Sequence, residues 1–250
     1  MFFSVITVSY NSQSTIRSAV DSVLAQRGVE LDYIVIDGAS MDGTVDALRG
    51  YGSRIAQLVS EPDEGIYNAM NKGIGRARGE VVGILNSDDF YADDGVLAAV
   101  AKVFEDGTVD CVYGDLDYVD EADTSRVTRA WRSRPYCQGV FQKGWHPAHP
   151  TFFVRKSVYD RFGVFNDQLK IAADYEFMLR VLEKAQCKSV YLPKVMVKMR
   201  TGGASNRSIS SILKANWECF QAWRLNGLGV FDGMSAILQK PARKLKQFKL

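Results

Sequence analysis

The sequence predicts an α/β protein, a Rossmann-like, mostly parallel sheet flanked by helices, followed by a helical C-terminal extension. Three observations predict it. Short apolar, β-branched runs alternate with helix-period segments through the first hundred residues, the pattern of a sheet covered on both faces. Several strand-like runs end in Asp, Asn, Ser and Gly, as in open sheets that bind ligands beyond the carboxyl ends of their strands. The 250-residue chain is 46% hydrophobic and 24% charged, enough to bury a core in one large domain or two small ones.

The elements follow in order. Phe2 to Val8 is a short apolar run, hence a buried strand. Ser14 is placed to cap the next helix, in which Ile16, Ala19, Val20, Val23 and Leu24 recur at helical spacing. Tyr33 to Ile36 is a second strand ending at Asp37, and Thr44 to Arg49 a helix. Ile55 to Val59 is a third strand, Ile66 to Arg76 a helix, and Val81 to Leu85 a fourth strand. Asp94 opens a helix that runs through Phe104.

From Asp110 the pattern changes. Val109 to Val119, Arg126 to Trp131, Thr151 to Val154 and Ser189 to Lys198 read as strands, and Arg132 to Pro150 as irregular. Asp174 to Lys184 is the second of two helices, and Asn206 to Leu225 is a long one. With no internal repeat or linker, the simplest division is a catalytic domain over 1–205, with halves meeting near 110, and a helical tail over 206–250.

Charge and cysteines exclude several classes. The net charge is +2, but residues 239–250 hold Lys240, Arg243, Lys244, Lys246 and Lys249 and no acid, so the body is mildly acidic and the tail basic. No basic face interleaved with aromatics suggests nucleic-acid binding. Cys111, Cys137, Cys187 and Cys219 form no C-x-x-C pair and read as reduced thiols. The start lacks a basic export signal, and no run approaches the ~18 apolar residues of a membrane span. The expectation is a cytoplasmic protein. Met234, Leu238, Leu245 and Phe248, spaced near a helical period among the tail's basic residues, suit contact with an anionic membrane face, or packing on the catalytic domain or on a second subunit. Pro241 counts against one continuous tail helix, though it is a good first helical residue.

The chemistry-bearing residues cluster at strand ends. Thr7-Val8-Ser9-Tyr10-Asn11, Asp37-Gly38-Ala39-Ser40 and Asn86-Ser87-Asp88-Asp89 make a crevice suited to a nucleotide and a cation, although each cluster alone is also a turn composition. Two carboxylates after a buried strand are costly unless neutralised, and a hard divalent cation with a diphosphate does so. Gly73 to Gly79 departs from G-x-G-x-x-G and follows a helix, and no G-x-x-x-x-G-K-[ST] occurs. Asp63, Glu64 and Tyr67 open a helix beside the crevice, where they either touch donor or acceptor, Asp63 on the donor side, or cap the helix, and Arg200 offers a fork of donors for a diphosphate. Two histidines, His146 and His149, do not make a zinc site.

The segments VITVSYNS, IDGASMDGT, SEPDEGIYNAMNKGI, GILNSDD, HPTFF, ADYEFMLR and RTGGAS run in order across residues 4 to 205. As a set they resemble family 2 of the inverting glycosyltransferases, of the bacterial polysaccharide type, with the GT-A fold. The resemblance implies transfer of a sugar from a nucleotide-diphosphate sugar to a hydroxyl on a glycan or lipid-linked saccharide, with Mn2+ or Mg2+. It implies that Thr7, Ser9 and Asn11 line the nucleotide pocket, that Asp37 holds the base or ribose, and that Asp42 braces that loop. Asn86 stands at the first position of the Asp-x-Asp motif, leaving Asp88 as metal ligand and Asp89 as a second. Asp174 would be the base that takes the acceptor proton, and a helix N-cap is a compatible role. His149 would lie near the donor phosphates, and Glu176, with Glu64 and Tyr67, near the acceptor. A sugar nucleotidyltransferase would resemble G-G-x-G after strand one, where this chain has Ser9-Tyr10-Asn11-Ser12. A saccharide-binding scaffold would not need Asp37, Asp88 and Asp174.

Overall fold

The structure, a computed structural model, describes residues 1–201 and 209–246, with backbone alone for 209 and 240–246. The Gly202-Gly203-Ala204 turn, the side chain of Leu245 and the residue Phe248 therefore lie outside what is described, as do the side chains of the basic tail.

The first half is a parallel sheet. Strands β1 (Phe2–Ser9), β2 (Glu30–Asp37), β3 (Gln57–Ser60) and β4 (Val81–Asn86) lie in the order β3-β2-β1-β4, all parallel. Helices α1 (Ile16–Leu24), α2 (Thr44–Arg49), α3 (Ile66–Arg76) and α4 (Val96–Phe104) connect or flank them. β1 is buried almost end to end because helices cover both faces. Ser14 does not cap α1: the cap position is Thr15, and no side chain bonds there.

The second half makes the sheet mixed. β6 (Cys111–Val119), β7 (Val127–Trp131), β8 (Phe153–Arg155) and β9 (Ser189–Arg200) extend it through an antiparallel β4–β8 pair. The order continues β4-β8-β6-β9 and ends on a short strand, β5 (Asp89–Tyr91), with β7 on β6. The sequence reading lacked β5, three residues paired antiparallel with the end of β9. A strand that short has no readable period, and its pairing partner is more than a hundred residues away.

Helices α5 (Lys156–Phe162), α6 (Ala173–Met178), α7 (Ile209–Leu225) and α8 (Val230–Lys246) complete the described chain. The helix expected over Asp174 to Lys184 is α6 followed by a π-wound segment, Leu179–Lys184. The tail helix α8 runs through Pro241 rather than stopping there. One core lies on each face of the sheet. One face holds Phe3, Val35 and Val100, and the other holds Ile6, Phe141, Phe177 and Trp223. The second binds α6 and α7 to the sheet, so the C-terminal helices belong to the same folded unit.

Candidate active site

Parallel register sets the nucleotide side of the crevice. Ser9 lies beside Asp37, and Asp37 beside Ser60, at three adjacent strand ends. The Asp37 carboxylate is completely buried and accepts four bonds. Ser9 Oγ (2.9 Å) and Ser40 Oγ (2.5 Å) donate to Oδ1, and Ser60 Oγ (2.8 Å) and the Ser40 amide (2.9 Å) to Oδ2. Those bonds use its acceptor positions and leave no surface for a base or ribose, so Asp37 ties strand ends together in this geometry. Thr7 also has no exposed surface and accepts from the Tyr33 hydroxyl at 3.0 Å. It is a core hydroxyl, one step beneath the pocket it was expected to line.

The exposed rim is built by the next loop. Asn11 adopts φ 48°, tolerable for Asn. Its amide donates to Ser40 Oγ at 2.8 Å, and its side chain accepts from the Met41 amide at 3.0 Å. Asp42 accepts from the Thr44 hydroxyl (2.5 Å), the Thr44 amide (2.9 Å) and the Gln13 amide (3.1 Å). These bonds, that from the Thr44 hydroxyl foremost, hold its carboxyl below the usual range. An open cleft of about 510 Å3 is lined by Asn11, Gln13, Ser14 and Asp42. Ser12 Oγ and Ser87 Oγ, 2.8 Å apart, join this rim to the end of β4. At Gly38 an added Cβ would come within 2.5 Å of Asp63 Oδ2, so only glycine lets Asp63 lean over that backbone.

At the end of β4, Asp88 is half-buried, and no hydrogen bond reaches its carboxylate among the described residues. Asp89, on β5, is completely buried. Burial, then the charge of Asp88, pushes its carboxyl well above the usual range. Of the pair, only Asp88 reaches the crevice, and Asp89 is a buried neighbour rather than a surface for diphosphate. Asp89 Oδ1 and Asn86 Oδ1 have no hydrogen-bond partner, while Asn86 Nδ2 donates to Asp89 Oδ2 at 3.4 Å. Orphaned oxygens beside a free carboxylate fit a hard cation such as Mg2+ or Mn2+. No group of three His, Cys, Asp or Glu is disposed to hold an ion among the described residues, so water or a diphosphate must complete the shell. Arg200 locks this loop: Nη1 donates to the Asp88 carbonyl (2.7 Å), Nη2 to Ser18 Oγ (2.9 Å), and the guanidinium covers Phe90 at 4.8 Å. It braces the loop more than it projects from it.

Across the crevice, Asp174 is the second residue of α6, and Ala172 holds the cap position. Asp174 is therefore not the N-cap. The Tyr67 hydroxyl, reaching from α3, lies 3.0 Å from Asp174 Oδ1 and 2.8 Å from the Ile171 carbonyl. Burial and the Asp174 charge hold that phenol far above its usual range, so it stays a protonated donor. Tyr67 thus serves Asp174. His149 is buried, which lowers its imidazole below the usual range, and the Asp174 charge acts the other way. It is neutral at pH 7, edge-on to Phe165 at 5.5 Å.

The two glutamates expected near the acceptor differ in exposure. Glu176 is 4% exposed, bridged by Arg180 (2.8 Å) and bonded by Asn226 (2.9 Å). It anchors α6 to α7 and has no free oxygen to offer a sugar. Glu64 points its side chain to solvent, and its carbonyl accepts from Lys170 Nζ at 3.1 Å. Tyr118 was missed by the sequence reading. Burial first, then the charges of Asp89 and Asp174, raise its phenol, so it stands within electrostatic reach of both acids. Arg129, opposite it on β7, covers its ring at 4.0 Å. No spacing in the sequence signals this cross-strand pair.

A parallel nucleotide-type half fused to a mixed half, with one acid at a strand end and another on a helix across the crevice, defines a glycosyltransferase of GT-A type. The chain belongs to glycosyl transferase family 2, whose family description matches residues 4–163. An uncharacterized glycosyltransferase of Mycobacterium tuberculosis is 35% identical over 213 residues, covering 84% of this chain and 79% of that one. S. aureus TarS, residues 1–349, solved with UDP-GlcNAc, matches at TM-score 0.68 and 18% identity over 98% of this chain and 73% of that one. The mannosyltransferase PcManGT of Pyrobaculum calidifontis, solved with GDP-Man and Mn2+, matches at TM-score 0.68 and 19% identity over 98% and 72%. Asp174, Arg200 and α7 lie beyond the family match, so their roles rest on the geometry of this chain.

Proposed function

We propose that this glycosyltransferase moves one sugar from a nucleotide-diphosphate sugar to a hydroxyl of a saccharide or lipid-linked acceptor, with inversion. The reading is supported by two carboxylates: that of Asp88, half-buried after β4 with no hydrogen bond among the described residues, and that of Asp174, at the start of α6, which accepts from the Tyr67 hydroxyl at 3.0 Å. The cleft beside Asn11, Gln13 and Asp42 takes the nucleotide. Asp42, Ser40 and the Asp37 knot hold its rim in shape, and Ser9 acts through Asp37. Asp63 leans toward the donor from over Gly38, and neutral His149 offers a ring N–H to a phosphate oxygen.

Asp88, with Asn86 and Asp89 beside it, would hold Mn2+ or Mg2+, which supplies positive charge to the leaving diphosphate. Asp174 accepts the acceptor hydroxyl proton as that oxygen bonds to the anomeric carbon and the bond to the diphosphate breaks on the opposite face. Tyr67 keeps the Asp174 carboxylate oriented. A single displacement reverses the configuration. These enzymes carry their nucleotide and sugar preferences in pocket shape, so UDP-GlcNAc and GDP-mannose are the first donors to test, because the two solved structures above hold them.

The C-terminal helices suit a lipid-linked acceptor at the inner face of the cell membrane. On α8, Phe231 (86% exposed), Met234 and Leu238 (77%) lie at helical spacing on one exposed face. Lys240, Arg243, Lys244 and Lys246 follow on the same helix, the composition of an interfacial helix. No helix among the described residues is long and apolar enough to cross a membrane.

The experiment compares wild type, Asp88→Ala and Asp174→Asn on a panel of nucleotide-sugars, with product configuration read by NMR. Asp174→Asn should cut kcat about 10²- to 10⁴-fold with little change in donor KM. Excess EDTA should abolish transfer, and Mn2+ or Mg2+ should restore it. A product of retained configuration, or full turnover in EDTA, refutes the mechanism.

A further inference from the structure

Helix α6 begins without a cap of its own. Ala172 and Ala173 stand at its start, and no side chain of the helix bonds the first turn. The acceptor for that entry comes from α7. The Glu218 carboxylate, 4% exposed, accepts from three consecutive amides. Lys170 N–H donates to Oε1 at 3.2 Å, and Ile171 N–H (2.7 Å) and Ala172 N–H (2.9 Å) donate to Oε2. Charge-assisted bonds of this kind are about twice as strong as neutral ones, and three on one buried carboxylate fix the path of the backbone.

That path carries Asp174. Ala172 donates to Glu218, and its carbonyl accepts the Glu176 amide at 3.0 Å, the bond that starts α6. Ile171 is held at both ends, its amide by Glu218 and its carbonyl by Tyr67, whose hydroxyl also reaches Asp174. Glu218, Ile171, Tyr67 and Asp174 form one continuous chain of contacts. Two more bonds fasten the same helices: Trp223 Nε1 to the Tyr175 hydroxyl (2.9 Å) and Asn226 Nδ2 to Glu176 (2.9 Å).

We propose that Glu218, reaching from α7, is a positioning residue for Asp174. The proposal rests on the reading of Asp174 as the base. Glu218 never meets the substrate. It holds residues 170–172 so that the first turn of α6 presents Asp174, and the Ile171 carbonyl presents the Tyr67 hydroxyl, at one fixed point. Displacing a catalytic group by about 1 Å costs on the order of 10²-fold in rate.

The test uses the full chain with four variants. Glu218→Ala removes all three acceptor contacts. Glu218→Gln keeps one oxygen, which can serve the two shorter bonds, and turns an amino group toward Lys170 N–H. Ala222→Gly loosens α7 at a buried position, by about 1 kcal/mol of helix propensity, without touching the tether. Asp174→Asn reports on the base itself. Nucleotide release from UDP-GlcNAc and GDP-mannose with Mn2+ is followed well below the lowest melting temperature. Hydrogen exchange at the amides of Lys170, Ile171 and Ala172 is followed with no substrate present.

Glu218→Ala should lower kcat about 100-fold and Glu218→Gln about 10-fold, with donor KM unchanged in both. Exchange at the three amides should accelerate about 100-fold in Glu218→Ala. Ala222→Gly should match wild type in kcat and in exchange at those amides despite its lower stability. Unchanged exchange in Glu218→Ala overturns the tether. Fast exchange with wild-type kcat overturns its link to turnover, as does an equal loss of kcat in Ala222→Gly. An active Asp174→Asn removes the base assignment and the proposal together. An inactive Asp174→Asn beside a fully active Glu218→Ala removes the proposal alone.

Discussion

Replacing Asp37 with alanine tests whether this carboxylate is a knot in the scaffold or a hand on the donor. Its oxygens take four hydrogen bonds from Ser9, Ser40 and Ser60 and have no exposed surface. A hydrogen bond to a charged group contributes about 1.5–3 kcal/mol. The four do not add, because the Ser60 and Ser40 hydroxyls lie near solvent and can turn to water. The buried Ser9 hydroxyl and the Ser40 amide have less freedom. The loss should be about 3–5 kcal/mol, the usual cost of breaking a buried charged network at one partner. At about 2–4 °C per kcal/mol for a chain of this size, the melting temperature should fall by about 6–20 °C. Asp37→Asn keeps the shape but turns an amino group toward two donors, and should fall between the two. The assay is thermal unfolding at pH 7 without ligand, paired with calorimetric titration of UDP and GDP in Mn2+. If Asp37→Ala melts within about 2 °C of wild type while nucleotide affinity drops 100-fold or more, roughly 2.7 kcal/mol, the knot is wrong and the carboxylate serves the donor directly.

Two further outcomes are expected. Burial alone would raise the Asp32 carboxyl, but hydrogen bonds from Arg78 and Ser4 and the Arg78 charge outweigh it and hold the group below its usual range. A depressed carboxyl stabilises the fold above its unfolded pKa of about 3.9 and loses that contribution as pH falls through the lower folded value. Asp32→Asn should therefore cost about 1–3 kcal/mol at pH 7, toward the low end because the Arg78 side chain is 61% exposed and screened. Its stability should also fall less steeply than wild type below pH 4, as read by urea unfolding across pH. For the tail, vesicles containing anionic lipid should sediment the intact chain, release it in high salt, and fail to bind a chain cut before residue 239. Equal sedimentation of the truncated chain would show that the basic end is not the anchor, and equal binding to neutral vesicles would remove the electrostatic reading.

What the sequence made legible is what local chemistry encodes. The parallel half was readable because β1, β2 and β4 are apolar runs and α1 and α3 keep a helical period, so α2 and α3 match their expected bounds. The crevice was readable because Asp, Asn and Ser collect at strand ends. Which member of each cluster faces the ligand was not. Asp88 and Asp89 are adjacent in sequence, yet one is half-buried and the other wholly buried, because the three residues of β5 turn back onto β9. Thr7, Asp37 and Glu176 have the right chemistry for a site but spend it on partners 26, 28 and 50 residues away in sequence. Glu218 and Tyr118 gave no signal at all, since each acquires its role only from neighbours on another element.

The grip of Arg200 on the Asp88 loop has a consequence for the birth of the molecule. Its guanidinium joins the Asp88 carbonyl and Ser18, across sequence separations of 112 and 182 residues, and β5 waits for the last residues of β9 before it can pair. Contacts this distant form late, because the intervening chain must first be gathered in. A ribosome that has delivered only the parallel half has made a sheet with its acids untethered, and β5 stays an unpaired edge until residue 200 emerges. Synthesis that stalls between β4 and β9 should thus yield an inert fragment with an adhesive edge, so the window for misassembly runs from Asn86 at the end of β4 to Arg200 at the end of β9.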